Sequence, residues 1–410
     1  MNQGRLRKLK SDLVFDGNRL YEGAVLLLTE DGTIVGLLPA EGNDNVAGEV
    51  EDPETDGEHV EYYPGLMTPG FINAHCHLEL SHMRGLLPRG TGLVDFILQL
   101  QHGRHIPAED VISAMQEAEA EMLSEGIVAV GDIANSAVSV PVKQKSRLLY
   151  HTFFELFGLD PAKADSVLPG GIALQESALA MGASSVVPHA PYSVSEKLFR
   201  LIGEQLSLLS IHNQESAHED SFFLDGTGEF LRLYQEFGID ISFYQPSGHR
   251  ALTTWMPWLG GSRNRKMLLV HNTYTTAADV EEALRMGEMW WCLCPGANLY
   301  IEGRLPDVPM FLEKELDIVL GTDSLASNDC LSILEEMKIL SRHFPQIGLE
   351  QLLQWATLNA ARFFGWDHLG SFEKGKRPGV NLITGVTAGR LGEDVRVRSL
   401  VPAGAGPERI

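Results

Sequence analysis

Pro69-Gly70-Phe71-Ile72-Asn73-Ala74-His75-Cys76-His77 reads as a short apolar strand running into two histidines one residue apart. Side chains on a strand alternate faces, so His75 and His77 share a face and Cys76 takes the other. Two imidazoles placed this way can grip one metal ion, with Zn–N distances of about 2.0–2.1 Å. Alone, the H-x-H pattern is equally a pair of polar residues where a loop begins. The rest of the chain decides, because further His and Asp residues each close an apolar run of their own.

From about residue 66 onward, apolar strand-like runs alternate with helical stretches. That rhythm predicts βα units and a parallel sheet. Eight strands are expected: Met67–His77, Ile127–Ile133, Leu148–Leu156, Ser185–His189, Leu208–His212, Met267–His271, Met289–Cys294 and Ile318–Asp323. Helices are expected between several of them, at Asp110–Glu125 and Ala277–Met286 among others. In the first, Val111, Met115, Ala118 and Met122 fall at helical spacing with carboxylates on the other face. Eight such units fit a closed (β/α)8 TIM barrel, an α/β fold whose active site lies at the C-terminal strand ends.

Outward from the barrel, residues 12–38 read as a β-hairpin. Ala24–Leu28 and Ile34–Leu38 flank Asp31-Gly32, a strong turn signal. Residues 41–61 are acidic and poor in apolar side chains, as a surface loop is. Near the other end lie a helix at Leu349–Phe364, the segment Gly375-Lys376-Arg377-Pro378-Gly379, a short strand Val380–Ile383 and a polar tail. No internal repeat beyond the βα rhythm is visible.

Composition bounds the function. The chain has 410 residues, enough for one large domain with a small satellite. With 55 acidic against 32 basic residues and a net charge of −23, its surface repels phosphate backbones and anionic lipids. No nucleic-acid or membrane partner is expected, and no apolar run has the length of a membrane span. The run Ala24–Leu28 is too short for a signal-peptide core. Four cysteines make no disulfide framework, and a reducing, cytoplasmic location is expected. A homo-oligomer is compatible with the sequence and is not indicated by it.

Four further strand ends carry chemistry: His212 with Glu215 three residues on, His271 before Asn272, Asp323 after Leu320-Gly321-Thr322, and His189 after Val186-Val187-Pro188. Five histidines and one aspartate at the same end of successive strands are hard to explain as core residues. Burying that much polarity is costly unless a metal or a hydrogen-bond network satisfies it.

Together, Pro69 to His77, His212 with Glu215, His271, and Leu320 to Asp323 resemble the amidohydrolase superfamily, and within it the deaminase and chlorohydrolase branch. The resemblance covers nearly the whole chain. It includes the N-terminal hairpin and Gly375–Gly379, which is similar to the family's closing G-K-x-A-D segment. Two departures stand out. The closing segment has Pro378-Gly379 and Asn381 in place of Ala-Asp, and Asn213-Gln214 separate His212 from Glu215 where small or apolar residues are commoner.

The resemblance implies that His75, His77, His212 and Asp323 bind one divalent metal, zinc or iron, which lowers the pKa of a bound water toward ~7. Asp323 would take that water's proton, Glu215 would protonate a ring nitrogen as general acid, and His271 would hold and polarise the water. The bland alternative for Glu215 is a helix-start carboxylate favoured by the dipole, and its spacing from His212 favours the catalytic role. Binuclear relatives bridge two metals with a lysine on the fourth strand; here that strand ends in His189, which favours one metal and deamination. His189 in Pro188–Ser193 resembles a substrate-contacting segment of adenosine-type deaminases. His77–Ser81 and Gly321–Asn328 resemble segments of aminodeoxyfutalosine deaminases, which implies substrate contacts from Glu79, His82, Arg84 and Ser327. Substrate choice is expected to lie in loops 77–107 and 134–147.

The expected architecture is a barrel over residues 68–369, with a β-sandwich built from residues 1–67 and 370–410. The expected reaction is hydrolytic removal of an amine from a small-molecule aromatic ring of purine or adenine-nucleoside type, releasing ammonia. A chlorohydrolase using the same site is the alternative among enzymes. A non-catalytic amidohydrolase-like scaffold is the alternative of another class, disfavoured because such scaffolds lose metal ligands that this chain keeps.

Overall fold

The computed structural model describes residues 6–40, 59–103, 106–178, 182–205, 208–260, 266–387 and 389–404. Most of the expected acidic loop, residues 41–58, lies outside them. The chain begins with β1 (Leu6–Phe15), β2 (Leu20–Glu22), β3 (Val25–Thr29), β4 (Ile34–Leu38) and β5 (Val60–Pro69). The β3–β4 hairpin forms as expected, antiparallel around Asp31-Gly32. β1, not anticipated from the sequence, pairs with β2 and β3 antiparallel and with β5 parallel.

Gly70 separates this region from the next. A Cβ there would sit 2.3 Å from Val128 Cγ1 and 2.7 Å from the Pro378 oxygen, so no side chain fits. The expected strand Met67–His77 is therefore two elements: Met67–Pro69 ends β5, and β6 (Phe71–Cys76) starts afresh. After β6 come β7 (Ile127–Ala134), β8 (Leu149–Leu156), β9 (Ala183–Pro188), β10 (Leu209–Asn213), β11 (Lys266–His271), β12 (Glu288–Leu293) and β13 (Ile318–Leu320). They form two parallel four-stranded sheets, β6-β7-β8-β9 and β10-β11-β12-β13.

Hydrogen bonds link the two sheets on both sides. His212 N donates to His189 O at 3.0 Å, and Thr322 N and Asp323 N donate to His75 O at 3.0 and 3.1 Å. The strands are buried on both faces, as continuous apolar runs require in parallel sheets. One large core, including Phe71, Phe153, Leu268, Trp291 and Leu320, fills the space among the strands and helices.

The helices used below are α1 (Leu93–Gly103), α2 (Ala108–Ser124) and α3 (Val140–Lys143). α2 buries Val111, Met115, Ala118 and Met122, the four residues its periodicity selects. The expected helix Leu349–Phe364 is broken at Thr357, whose backbone leaves helical geometry (φ −133°, ψ −87°). It becomes Leu349–Ala356 and Leu358–Phe364.

The chain then returns to the first region with β14 (Val380–Thr384) and β15 (Arg396–Val401). β15 corrects the expected polar tail. Its charged side chains face outward while Val401 is buried. Both chain ends share one seven-stranded sheet, ordered β15-β14-β5-β1-β3-β4 with β2 on β1. At its seam with the parallel strands, Asn381 Nδ2 donates to Gly126 O at 2.8 Å, so the family departure at Asn381 supplies a specific bond. Among the described residues, no helix is long and apolar enough to cross a membrane.

Candidate metal centre and active site

Three strand ends, those of β6, β10 and β13, converge. His77 Nε2 lies 3.2 Å from both His75 Nε2 and His212 Nε2, and Asp323 Oδ1 lies 3.5 Å from His75 Nε2 and 3.3 Å from His77 Nε2. Four donors about 2.05 Å from a common centre at tetrahedral angles stand about 3.3 Å apart. The observed spacings match such a shell.

The protonation chemistry agrees. Burial holds His75 at about 3 and His212 at about 4, and holds His77 well below its ordinary value, so all three rings are neutral at pH 7. Neutral nitrogens turned on one another and on a carboxylate leave a pocket of lone pairs, which a divalent cation satisfies. The donor set, three imidazoles and one carboxylate, fits that group.

The backbone is bent to make this shell. His271 (φ 72°) and Asp323 (φ 56°) adopt the left-handed conformation, as do Gln214 (φ 45°) and Asn272 (φ 57°). Non-glycine residues hold that conformation only where their surroundings impose it, and such strain gathers at functional sites. These turns explain why β13 stops at Leu320, short of the expected Asp323. Gly321 permits the close crossing, since a Cβ there would meet His75 Cβ at 2.8 Å. Asn73 then pins the two strand ends together, donating to Thr322 Oγ1 at 2.7 Å and accepting from Thr322 N at 3.1 Å.

Glu215 stands beside the shell and outside it. Its Oε1 is 3.6 Å from His271 Nε2. Desolvation, then the nearby carboxylates of Asp323, Glu219 and Glu302, push its carboxyl well above the usual range, which favours its protonated form. Glu219 holds the backbone in place by accepting from the amides of Gln214, Glu215 and Ser216. His271 Nδ1 faces the Asn298 amide at 3.3 Å, which leaves the ring proton on Nε2 toward Glu215. The unusual pair Asn213-Gln214 is buried and bonded. Asn213 Nδ2 donates to Asn272 Oδ1, and Gln214 bonds Asp279 and Thr275.

These groups border a cavity of about 60 Å³, walled by His77, Glu155, His189, Tyr192 and Asp323 and covered by Leu93, Phe96, Ile97 and Leu100 of α1. A second cavity of about 420 Å³ adjoins it, sharing Ile97, His189 and Tyr192. His189 packs against Phe157 with ring centroids 4.2 Å apart and planes tilted by 31°.

The other expected contacts lie elsewhere. Glu79 accepts from Asn135 N, Ser136 Oγ and Ser139 Oγ, so its carboxylate is taken up by the loop after β7. His82 turns back to its own helical turn, with Nδ1 3.1 Å from Glu79 O. Arg84 pairs with Glu121 on α2. None of the three borders the smaller cavity. Ser327 donates to Asp323 Oδ2 and so orients a shell residue.

Sequence reasoning missed Glu155. It is buried at the end of β8, accepts from Asn135 Nδ2 at 3.0 Å, and groups with His189 and His212. The only signal was one carboxylate inside the apolar run Phe153-Phe154-Glu155-Leu156.

Comparison with known proteins places this geometry. The chain is 27% identical over 383 residues to the 5-methylthioadenosine/S-adenosylhomocysteine deaminase of Saccharophagus degradans, spanning 88% of this chain and 78% of that one. It is 27% identical over 322 residues to the aminodeoxyfutalosine deaminase of Deinococcus radiodurans, spanning 73% of each. Helicobacter pylori aminofutalosine deaminase, solved with methylthio-coformycin, superimposes with a TM-score of 0.73 at 22% identity, covering 93% of both chains. The profile of the amidohydrolase family matches residues 66–390, a stretch that begins in β5 and contains every residue of the converging shell. The chain belongs to the amidohydrolase family.

Proposed function

We propose that this chain is a hydrolytic deaminase that replaces the ring amine of an adenine-type nucleoside with oxygen and releases ammonia. The observation that carries the reading is Glu215, a buried carboxyl that its surroundings favour in the protonated form, beside a complete metal-type donor shell without belonging to it. Simple metal storage needs no such acid. Attack on a ring carbon builds negative charge on the adjacent ring nitrogen, and a proton donor placed there stabilises it.

His75, His77, His212 and Asp323 would hold one divalent ion, zinc by the nature of the donors. Such an ion, when bound, supplies the Lewis acidity that makes water nucleophilic at neutral pH. Asp323, with Oδ2 held by Ser327, takes the proton of the attacking water and delivers it to the departing amine. His271 orients the water through Nε2–H, and Glu215 protonates the ring nitrogen and regains a proton from the new hydroxyl as the C–N bond breaks and ammonia leaves. His189 and Tyr192 flank the ring, and the group attached to it extends toward the 420 Å³ cavity. The names of the relatives, deaminases of substituted adenosines and of aminodeoxyfutalosine, support this substrate class.

The same reading takes the eight parallel strands as a closed barrel over residues 68–369, and residues 1–67 with 370–410 as a composite β-sandwich. Hydrogen bonds at both seams support the first, and the sheet shared by the two chain ends supports the second.

An ammonia-release screen of the zinc-loaded protein tests the function. Adenosine and 5′-substituted adenosines should react, and free pterins and chlorinated triazines should not. Chloride release from a triazine without ammonia release from any nucleoside would replace deamination with dehalogenation.

A further inference from the structure

Asp132 and Lys143 form an ion pair with no exposed side-chain surface, Nζ to Oδ2 at 2.5 Å, and nothing in the deamination chemistry uses it. Stability does not explain it either, since a buried ion pair is often no better than an apolar pair of equal volume. Its connections do. Asp132 Oδ1 accepts from Leu78 N at 2.8 Å, the amide immediately after His77. Lys143, at the end of α3, also donates to Thr152 Oγ1 of β8 at 3.0 Å. One residue beyond Leu78, Glu79 accepts from Asn135, Ser136 and Ser139, in the segment that leads into α3. At this point the β6–β7 register slips between Asn73 and Cys76. The ladder resumes with Cys76 opposite Asp132 and ends there, so His77 emerges one residue past the last ladder pair and the Leu78 amide is the next backbone group to be held.

We propose that Asp132 and Lys143, together with Glu79, are positioning residues that clamp the Leu78–Glu79 backbone to the β7–α3 segment and thereby set His77 for metal binding. The ammonium holds the Asp132 carboxylate in the one orientation that presents Oδ1 to the Leu78 amide. Losing that acceptor frees the backbone beside His77 while leaving all four ligands in the chain. Partners of this kind behind a ligand are worth about 10–100-fold in metal affinity. The proposal rests on His77 being a ligand.

The test compares two double variants by zinc affinity, measured against a competing chelator, and by melting of the zinc-free protein. Asp132→Asn with Lys143→Met removes both charges and keeps an acceptor for the Leu78 amide. Asp132→Leu with Lys143→Met fills the same volume and removes that acceptor. The first should bind zinc within a few-fold of the parent and the second about 10–100-fold more weakly, with zinc-free melting reporting separately the stability lost with the Leu78 amide's acceptor. Equal affinities for the two would reduce the pair to core filling and overturn the proposal. Should the leucine variant not fold, Glu79→Leu loosens the same clamp from the loop side and should weaken zinc at least several-fold; unchanged affinity there overturns it as well. A parent protein that binds no zinc would instead refute the metal reading underneath.

Discussion

His212 Nδ1 donates to the carbonyl oxygen of His189 at 2.9 Å. That bond fixes the tautomer of His212, leaving Nε2 bare toward His75, His77 and Asp323. It also bears on the neighbouring group of Glu155, His189 and His212, whose side chains lie close enough to hold an ion of their own. With Nδ1 protonated and Nε2 committed, His212 has no lone pair left for a second metal.

One equivalent of metal per chain is therefore the expected stoichiometry, and Glu155→Gln should leave it at one. His75→Ala should lose most of the metal, by more than the about 10–100-fold typical of a supporting residue. Elemental analysis of protein purified without added metal checks all three, and two equivalents in the parent would contradict the assignment.

What the sequence disclosed follows from how each feature is encoded. The cluster of His75, His77, His212 and Asp323 was legible because its members close three apolar runs, and α2 because four buried residues repeat at helical spacing. β1 and β15 were hidden because Arg7, Lys8 and Lys10, or Arg396 and Arg398, interrupt them, and only pairing in the sheet shows that the alternation is real. Glu79 read as a substrate contact because His77–Ser81 resembles a segment of aminodeoxyfutalosine deaminases, and the hydrogen bonds that its carboxylate accepts come from residues 135–139, which no local pattern announces. Asp132, Lys143 and Glu155 are single charges without diagnostic spacing, and their partners are set by the register between strands.

The seam between the chain-end sheet and the parallel strands should depend on Asn381. Its amide is buried and donates to Gly126 O across 255 positions of sequence. Asn381→Ala removes that donor while Gly126 O still accepts from Phe71 N, so the expected loss is that of one hydrogen bond, about 0.5–1.5 kcal/mol. Chemical denaturation should show the midpoint falling with an unchanged slope.

Glu336 gives a pH signature. Burial pushes its carboxyl up to about 8, although Gly296 N and the Asn328 amide both donate to it. The folded chain thus keeps this proton up to about pH 8, whereas the unfolded chain releases it near 4.5. Between those values the folded state binds more protons, so this group's contribution to stability falls as pH rises. Glu336→Gln cannot titrate and should lose about 1–3 kcal/mol at pH 5, because its NH₂ faces a donor. The deficit should narrow toward pH 8, by on the order of 1 kcal/mol per pH unit at most. Paired thermal melts at pH 5 and pH 8 measure it, and a deficit that widens would mean that Glu336 is ionised throughout.

Glu215→Gln separates catalysis from metal binding. Glu215 follows His212 by three residues, and the left-handed turn at Gln214 sets its side chain beside His271 and outside the donor shell. Removing its acidity should therefore leave the four ligands and the metal content intact. Its replacement keeps the shape and one hydrogen-bond donor, so substrate affinity should change little. The ring nitrogen next to the attacked carbon needs a full proton in the transition state, however, and an amide cannot give one up. General acids of this kind contribute about 10²–10⁴-fold, equivalent to ~3–5 kcal/mol of barrier. kcat should fall by that factor with KM within a few-fold of the parent, on whichever adenosine the screen identifies. The raised carboxyl pKa adds a further expectation. The parent's kcat should decline on the alkaline side as Glu215 loses its proton, and the variant's residual rate should lack that limb. A fully metallated variant with near-normal kcat would remove Glu215 from the mechanism.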